Sequence, residues 1–233
     1  MIDFKKYMDS HKTKLLLIFF IISISFGCTF FYKLGKINRG PIIATAYDRK
    51  LSVFSSIPRT ENDIIFIGHS LVNEYLLSDF LPEYKMINMG IGGDNISGVT
   101  NRLDVALQYN VKSILVQIGI NDIYNKIPID TICNRYETLI KAIKQKTNSP
   151  LIVFNIFPTG KKLANEKVEI VNAFLDTISQ KYEFILVDVY SIFSKDGILN
   201  SDFGCGDATH FSGRGYLEWS KIIREVFREQ NIH

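Results

Sequence analysis

Short apolar runs recur at regular intervals from residue 64 onward. Each run is four to six residues long and is dominated by apolar side chains. Runs of this length are typical of parallel strands that are buried on both faces, so they predict five strands. The predicted strands are 64–67, 84–89, 113–118, 151–156 and 184–189.

Apolar residues with helical spacing fill the segments between these runs. Such stripes are typical of helices that pack one face against a core. Strands that alternate with helices predict an α/β fold, in which an open parallel five-stranded sheet lies between two helical layers. Ligands bind to such sheets at the carboxyl ends of the strands. The stripes are Val99, Leu103, Ala106 and Leu107; Ile132, Tyr136, Leu139, Ile140 and Ile143; Val168, Val171, Phe174, Leu175 and Ile178; and Tyr216, Trp219, Ile223, Val226 and Phe227.

The N-terminal part of the chain has a different pattern. Residues 15–32 carry no charge and lie between Lys14 and Lys33. As a helix they would extend about 27 Å, close to the ~30 Å hydrocarbon core of a bilayer. An uncleaved single-pass signal anchor is the preferred interpretation. A cleaved signal peptide with small residues at 23–25, or lipidation at Cys28, are the alternatives.

These patterns divide the chain of 233 residues into four parts. We expect residues 1–14 to be an N-terminal tail, 15–32 the transmembrane anchor, 33–61 a connector that packs in part on the domain, and 62–233 one globular domain. Lysines before the span slightly outnumber the basic residues after it, which favours a cytoplasmic N-terminus and an extracytoplasmic domain, periplasmic or at the cell surface.

Composition excludes several kinds of partner. The net charge is +3, and no dense Lys/Arg stripe alternates with aromatic residues, so nucleic acid is not expected as a partner. No motif has metal-ligand spacing, and the expected chemistry needs no metal or organic cofactor. Cys133 and Cys205 could pair in an exported domain, although two separate buried thiols are the preferred interpretation.

Candidate chemical groups follow the predicted strands. Ser70 lies between the first strand and a predicted helix over 71–80. A serine hydroxyl needs a base, and His210 has an acid, Asp207, three residues before it that can orient its imidazole. His69 directly precedes Ser70, and adjacent side chains diverge, so His210 is the better candidate for the base. We expect His69 to pack or to hydrogen-bond beneath the turn.

An oxyanion hole is the third requirement for acyl transfer. Gly93 can present an unobstructed backbone N–H, Asn121 supplies a side-chain amide, and the Ser70 N–H is a third donor. Gly90 competes with Gly93 for this role. Taken singly, these residues also fit ordinary structural roles in helix caps, turns and loops. Together with the acid–histidine pair they favour catalysis.

Ser70, Gly93, Asn121 and His210, in this order and spacing, resemble the SGNH (GDSL-type) hydrolase superfamily, over about residues 63–228. The resemblance implies a three-layer, flavodoxin-like α/β/α fold with Ser70 as nucleophile, His210 as base and Asp207 as its orienting acid. It also implies an oxyanion hole formed by Ser70, Gly93 and Asn121. One position departs from the family: His69 stands where an aspartate is usual.

The competing α/β-hydrolase elbow is absent, because Val72 occupies the position of its second glycine. We therefore predict a membrane-anchored serine esterase that acts through an acyl-enzyme. The expected substrates are small acyl esters, above all acetyl groups on cell-envelope or surface glycans. An O-acetyltransferase, a lysophospholipase or thioesterase acting on a lipid ester, and a catalytically silent envelope-assembly or binding module are the alternatives.

Overall fold

A computed structural model describes residues 45–107 and 110–232. Its centre is a parallel sheet of five strands in the order β2-β1-β3-β4-β5, which confirms the predicted sheet. This is the strand order of flavodoxin-like folds. The strands are β1 (Ile64–Gly68), β2 (Met86–Gly90), β3 (Ser113–Gln117), β4 (Leu151–Phe154) and β5 (Ile185–Val187), and a small antiparallel hairpin is formed by β6 (Ser194–Lys195) and β7 (Ile198–Leu199).

Helices connect the strands and cover both faces of the sheet. The long ones follow the predicted apolar stripes, and short ones begin directly after several strands. The helices are α1 (Ala46–Ser56), α2 (Ser70–Asn73), α3 (Leu77–Phe80), α4 (Ile96–Asn101), α5 (Leu103–Ala106), α6 (Ile120–Tyr124), α7 (Ile129–Lys146), α8 (Lys162–Lys181), α9 (Tyr190–Phe193) and α10 (Gly213–Glu229).

Two hydrophobic cores lie on opposite faces of the sheet. Ile65 and Ile67 of β1 point into one core, together with the apolar faces of α4, α7 and α8. Ile64 and Phe66 point into the other core. There the Trp219 ring of α10 packs against the Phe66 ring, with the ring centroids 5.3 Å apart. Successive strand residues alternate between the two faces. Every residue of β1 is therefore buried, which explains why the strands read as unbroken apolar runs.

The predicted helix over 71–80 is wrong in detail, because the structure has two short helices there. Helix α2 ends at Asn73, and α3 begins at Leu77. Asn88 of β2 donates its side-chain amide to the carbonyl oxygens of Val72 (2.6 Å) and Tyr75 (3.0 Å). Both carbonyls also accept a short-range backbone N–H, that of Tyr75 at 3.1 Å and that of Leu77 at 2.9 Å, so tight turns tied to the neighbouring strand replace a continuous helix here.

The N-terminal predictions lie largely outside the described residues. This applies to the tail, to the span over 15–32 and to the connector as far as residue 44. Helix α1 falls within the predicted connector, and its Phe54 is buried in the first core. None of the helices in residues 45–107 and 110–232 combines the length and the hydrophobicity that a membrane span requires.

Candidate active site

Three strands end side by side where the candidate residues begin. Gly68 at the end of β1 pairs with Gly90 of β2 and with Gln117 of β3. A Cβ at Gly68 would lie 2.3 Å from the Gln117 carbonyl oxygen, so only glycine allows the strands to approach here. Ser70 follows as the first residue of α2, and its backbone N–H makes no hydrogen bond with the described residues.

Ser70, His210 and Asp207 form a continuous hydrogen-bonded chain. The Ser70 hydroxyl donates to Nε2 of His210 at 2.8 Å, and Nδ1–H of His210 donates to Oδ2 of Asp207 at 2.5 Å. The carboxylate thus selects the tautomer in which Nε2 can accept a proton. The structure brings the serine and the acid–histidine pair together across 140 residues of sequence.

The Asp207–His210 loop is held in place from two sides. Oδ1 of Asp207 accepts the backbone N–H groups of Thr209 and His210, both at 2.9 Å. These bonds, together with the imidazole, lower the pKa of Asp207 to about 2, so the carboxylate is ionised at neutral pH. Gly160 donates its N–H to the Ala208 carbonyl at 2.7 Å, and the Thr209 hydroxyl lies 2.9 Å from that of Tyr124.

His69 is buried beneath this arrangement. It caps α2: Nδ1 accepts the Leu71 N–H at 3.3 Å and lies 3.4 Å from the Ser70 hydroxyl oxygen, farther than Nε2 of His210. Burial, followed by the nearby His210, lowers the pKa of His69 to about 3, so the ring is neutral. Aspartate is a common helix-capping acceptor, so His69 keeps an acceptor at the position where the family usually has that acid.

The two loops with predicted oxyanion donors are joined directly. Asn121, at the start of α6, donates one amide hydrogen to the Asp94 carbonyl oxygen at 2.7 Å. Gly93, the residue before Asp94, has φ +77°, and its N–H makes no hydrogen bond with the described residues. The second amide hydrogen of Asn121 is likewise uncommitted among them.

Gly90, the competing candidate, has a structural role. Its N–H donates to the side-chain oxygen of Asn88 at 2.9 Å, so this donor is already used. A Cβ at Gly90 would lie 2.1 Å from the Asn73 nitrogen, which explains the glycine by the close approach of α2 to β2. These contacts favour Gly93 over Gly90 as the oxyanion glycine.

Sequence reasoning missed the buried charges that hold the Gly93 loop. Arg102, which separates α4 from α5, donates to Oδ2 of Asp94 at 2.8 Å and to the Gly68 carbonyl oxygen at 3.2 Å. Both side chains of this ion pair are almost fully buried. Asp122 accepts the Ile96 N–H at 3.0 Å and pairs with Arg135 at 2.8 Å. Nothing in the spacing of these residues indicated the pairs.

The two cysteines of the domain are free thiols. Cys133 is half-buried on α7, and Cys205 is exposed, with its thiol donating to the Phe211 carbonyl oxygen at 3.0 Å. The expectation of two separate thiols fits this arrangement, whereas the expectation that both are buried is wrong.

Comparison with known proteins identifies the family. The model of the GDSL-like lipase/acylhydrolase family matches residues 69–217. An N-acylneuraminate cytidylyltransferase of Streptococcus agalactiae is 26% identical over 162 residues, which cover 68% of this chain and 37% of that relative. The chain therefore spans little more than a third of the length of this relative.

Solved structures share the fold at low sequence identity. A GDSL-like lipase from Bacteroides thetaiotaomicron superposes with a TM-score of 0.71 at 17% identity, covering 79% of this chain and 98% of that chain. A variant of a Geobacillus acetyl-xylooligosaccharide esterase superposes with a TM-score of 0.59 at 16% identity, covering 73% and 94%. Because the family match extends over more than half of the sequence, the chain belongs to the GDSL-like lipase/acylhydrolase family, a family of enzymes that act on ester bonds.

Proposed function

We propose that this enzyme is a serine esterase that removes small acyl groups, above all acetyl, from glycans through an acyl-enzyme on Ser70. The observation that carries the proposal is the hydrogen-bonded chain from the Ser70 hydroxyl through His210 to Asp207. In such a chain the imidazole can accept the serine proton while the carboxylate stabilises the imidazolium that results.

Acylation begins with attack of the Ser70 hydroxyl oxygen on the ester carbonyl carbon. The hydroxyl proton passes to Nε2 of His210, and the carbonyl oxygen becomes an oxyanion. When the tetrahedral intermediate collapses, the bond to the alcohol oxygen breaks, and that oxygen takes the proton from Nε2. The alcohol leaves, and the acyl group remains on Ser70.

Deacylation repeats these steps with water. Water gives one proton to Nε2 and attacks the acyl carbon, and collapse of the second intermediate returns that proton to the Ser70 oxygen and releases the acid. In both intermediates the N–H groups of Ser70 and Gly93 and the amide of Asn121 are the proposed donors to the oxyanion. Each such donor contributes about 10²–10³ in rate.

Two of the compared proteins support a glycan substrate by what their names state. One is an esterase of acetylated xylo-oligosaccharides, and the other acts on N-acylneuraminate, an acylated sugar. Both names combine a sugar with an acyl group, which is ester-linked in the first and amide-linked in the second. The GDSL-like lipase from Bacteroides thetaiotaomicron is named for lipid esters, so competition between acetyl and octanoyl esters is needed to separate the two substrate classes.

We further propose that residues 15–32 anchor the enzyme in a membrane with its domain outside the cytoplasm. The uncharged segment and the distribution of lysines around it support this location. A reporter fused after His233 tests the proposal, because a reporter that is active only in the cytoplasm would contradict it.

The enzymatic proposal is tested on the full-length chain in mild detergent. We expect turnover of 4-nitrophenyl acetate and covalent labelling by a fluorophosphonate, with the label on the Ser70 peptide. Ser70→Ala should lose labelling and at least about 10³-fold in kcat, whereas Ser78→Ala, at an exposed serine on α3, should behave like wild type. A wild-type enzyme with neither labelling nor turnover would refute the proposal.

Substrate class is tested by competition between esters and acceptors. Faster turnover of acetyl than of octanoyl esters is expected for a small-acyl esterase, and the reverse would favour a lipid substrate. Mass spectrometry of a reaction that contains a glycan acceptor detects transfer. If the acyl group moves to a sugar hydroxyl faster than to water, the enzyme is an O-acetyltransferase that uses the same acyl-enzyme.

A further inference from the structure

A groove of about 470 Å³ lies beside the candidate active site, between α6 and the start of α8. Its lining is mostly apolar and includes Ile123, Tyr124 and the exposed Leu163. We call this feature the lysine groove, because four exposed lysines also line it: Lys126, Lys161, Lys162 and Lys167.

The lysine groove adjoins the loop that carries His210. The hydroxyl of Tyr124, which lines the groove, lies 2.9 Å from that of Thr209, the residue before His210. Gly160, which directly precedes the lining residue Lys161, donates its N–H to the Ala208 carbonyl at 2.7 Å. A ligand that fills the groove is therefore next to the residues that hold the candidate base.

The charge in the lysine groove is uncompensated. Among the residues that the structure describes, none of the four lysines forms an ion pair, although Lys141 and Lys181 on the same layer both pair with Glu137. The Lys161 ammonium lies 4.5 Å from the centre of the Tyr124 ring. The acids of α8 that are near in sequence, Glu166 and Glu169, do not line the groove, and Glu169 accepts a hydrogen bond from Tyr190. Like charges collected around a concave surface attract an anion.

We propose that the lysine groove binds the anionic, sugar-bearing part of the ester, so that the substrate is a glycan with carboxylate or phosphate groups. This inference rests on the proposed function, which supplies the ester bond. Sugar rings present apolar faces as well as hydroxyls, which matches an apolar floor with a basic rim. A concave groove suits part of a chain molecule better than a flat bilayer surface.

Selectivity between acetyl esters tests the proposal. The full-length enzyme is assayed with two acetylated substrates: O-acetylated oligogalacturonate, which is anionic, and O-acetylated xylo-oligosaccharide, which is neutral. The rates of each enzyme variant are divided by the rate of the same variant on 4-nitrophenyl acetate. Replacing Lys126, Lys161, Lys162 and Lys167 together by Gln should lower the anionic-to-neutral ratio of kcat/KM about tenfold at low salt. In wild type, about 0.5 M salt should reduce the same ratio.

A matched variant controls for net charge. The control replaces four lysines at the opposite edge of the sheet, where the strands begin. Lys112 precedes β3, Lys144 and Lys146 lie in the last turn of α7, and Lys181 ends α8. Their joint replacement by Gln removes the same charge and should change the ratio less than about twofold. If the two variants change the ratio equally, or neither changes it, the lysine groove does not select the substrate.

A binding measurement separates failure of this inference from failure of the esterase proposal. Ser70→Ala is treated with an amine-acylating reagent, and modification of each lysine is read by mass spectrometry. De-acetylated oligogalacturonate should protect the four groove lysines, whether or not the wild type turns over esters. Protection by phosphatidylglycerol vesicles and not by the oligosaccharide would overturn the inference in favour of a membrane-binding surface. Protection by neither would overturn it outright.

Discussion

The side-chain amide of Asn121 donates to the main-chain carbonyl of Asp94 across 2.7 Å, and so joins the ends of two loops that follow different strands. This bond uses one amide hydrogen of Asn121 and leaves the other for a ligand. It also holds the residue that follows Gly93. One side chain therefore both supplies a candidate oxyanion donor and positions another.

Removal of the Asn121 amide should impair catalysis more than substrate binding. We expect Asn121→Ala to lower kcat about 10²–10³-fold with a small change in KM, because the oxyanion exists only in the intermediates. Steady-state kinetics with 4-nitrophenyl acetate measures this. Asn125→Ala, at an exposed residue that ends the same helix, is the control and should match wild type. Near-normal kcat in Asn121→Ala would rule out an oxyanion role.

The contact between Gly160 and Ala208 predicts a rescue experiment. A Cβ at Gly160 would lie 2.4 Å from the Cβ of Ala208, so Gly160→Ala should push the His210 loop away from Ser70 and lower kcat about tenfold or more. Ala208 has φ +62°, a conformation that favours glycine. The added change Ala208→Gly removes this 2.4 Å contact and leaves the Cα of residue 208 as the nearest atom at 3.3 Å, so it should restore most of the activity.

Gly206→Ala controls for a new methyl group in the same loop. A Cβ there meets no atom within 4 Å, so its activity should equal that of wild type. If displacement of the His210 loop lowers kcat in Gly160→Ala, the double variant that also carries Ala208→Gly should have a kcat close to that of wild type. Failure of Ala208→Gly to rescue Gly160→Ala would show that another effect of the methyl group lowers the rate.

His69 should make stability depend on pH. Its pKa is about 3 in the folded protein, against about 6.5 in an unfolded chain, so the unfolded state takes up a proton first as the pH falls. The contribution of the neutral His69 side chain to the free energy of unfolding is complete above about pH 6.5. It is lost as the pH falls towards 3, at up to about 1.4 kcal/mol per pH unit. The melting temperature of His69→Gln should fall less steeply between pH 7 and pH 4 than that of wild type. Parallel curves for the two proteins would contradict a neutral, buried imidazole.

Arg102 should be important for stability because its partner is buried. Arg102→Met leaves the Asp94 carboxylate without its counter-charge and should cost about 3 kcal/mol in unfolding free energy. Burial already raises the pKa of Asp94, so this loss should shrink at acidic pH, where the carboxyl can be protonated. Denaturant titrations at two pH values measure both effects.

The exposed pair of Arg214 and Asp202 is the matched comparison. Its atoms are 3.9 Å apart and both side chains face solvent, so Arg214→Met should cost less than about 0.5 kcal/mol. Adding Asp94→Asn to Arg102→Met should recover part of the lost stability, because no unpaired charge remains. Equal losses of unfolding free energy in the two arginine variants would show that burial does not increase the contribution of the Arg102–Asp94 pair to stability.

Several features could be predicted from local pattern because their causes are local. Ile64 to Ile67 are apolar without interruption because helices cover both faces of the sheet. The three-residue spacing of Asp207 and His210 allowed their contact, which the turn at Ala208 provides. By contrast, the segment between α2 and α3 is bonded to Asn88, a residue of another strand, and local periodicity could not indicate that contact.

By itself, the sequence determined the strand–helix alternation, the five-stranded sheet and the set of residues able to catalyse ester cleavage. The reason is that hydrophobic periodicity and residue type are local properties of short segments. The tertiary structure alone decided that 2.8 Å separates the Ser70 hydroxyl from Nε2 of His210, that the N–H of Gly90 is already used, and that Arg102 turns inward to Asp94. It also brought Lys126 together with Lys161, Lys162 and Lys167 around one groove. These relationships depend on strand order and on which backbone donors are already paired, and both are properties of the folded chain as a whole.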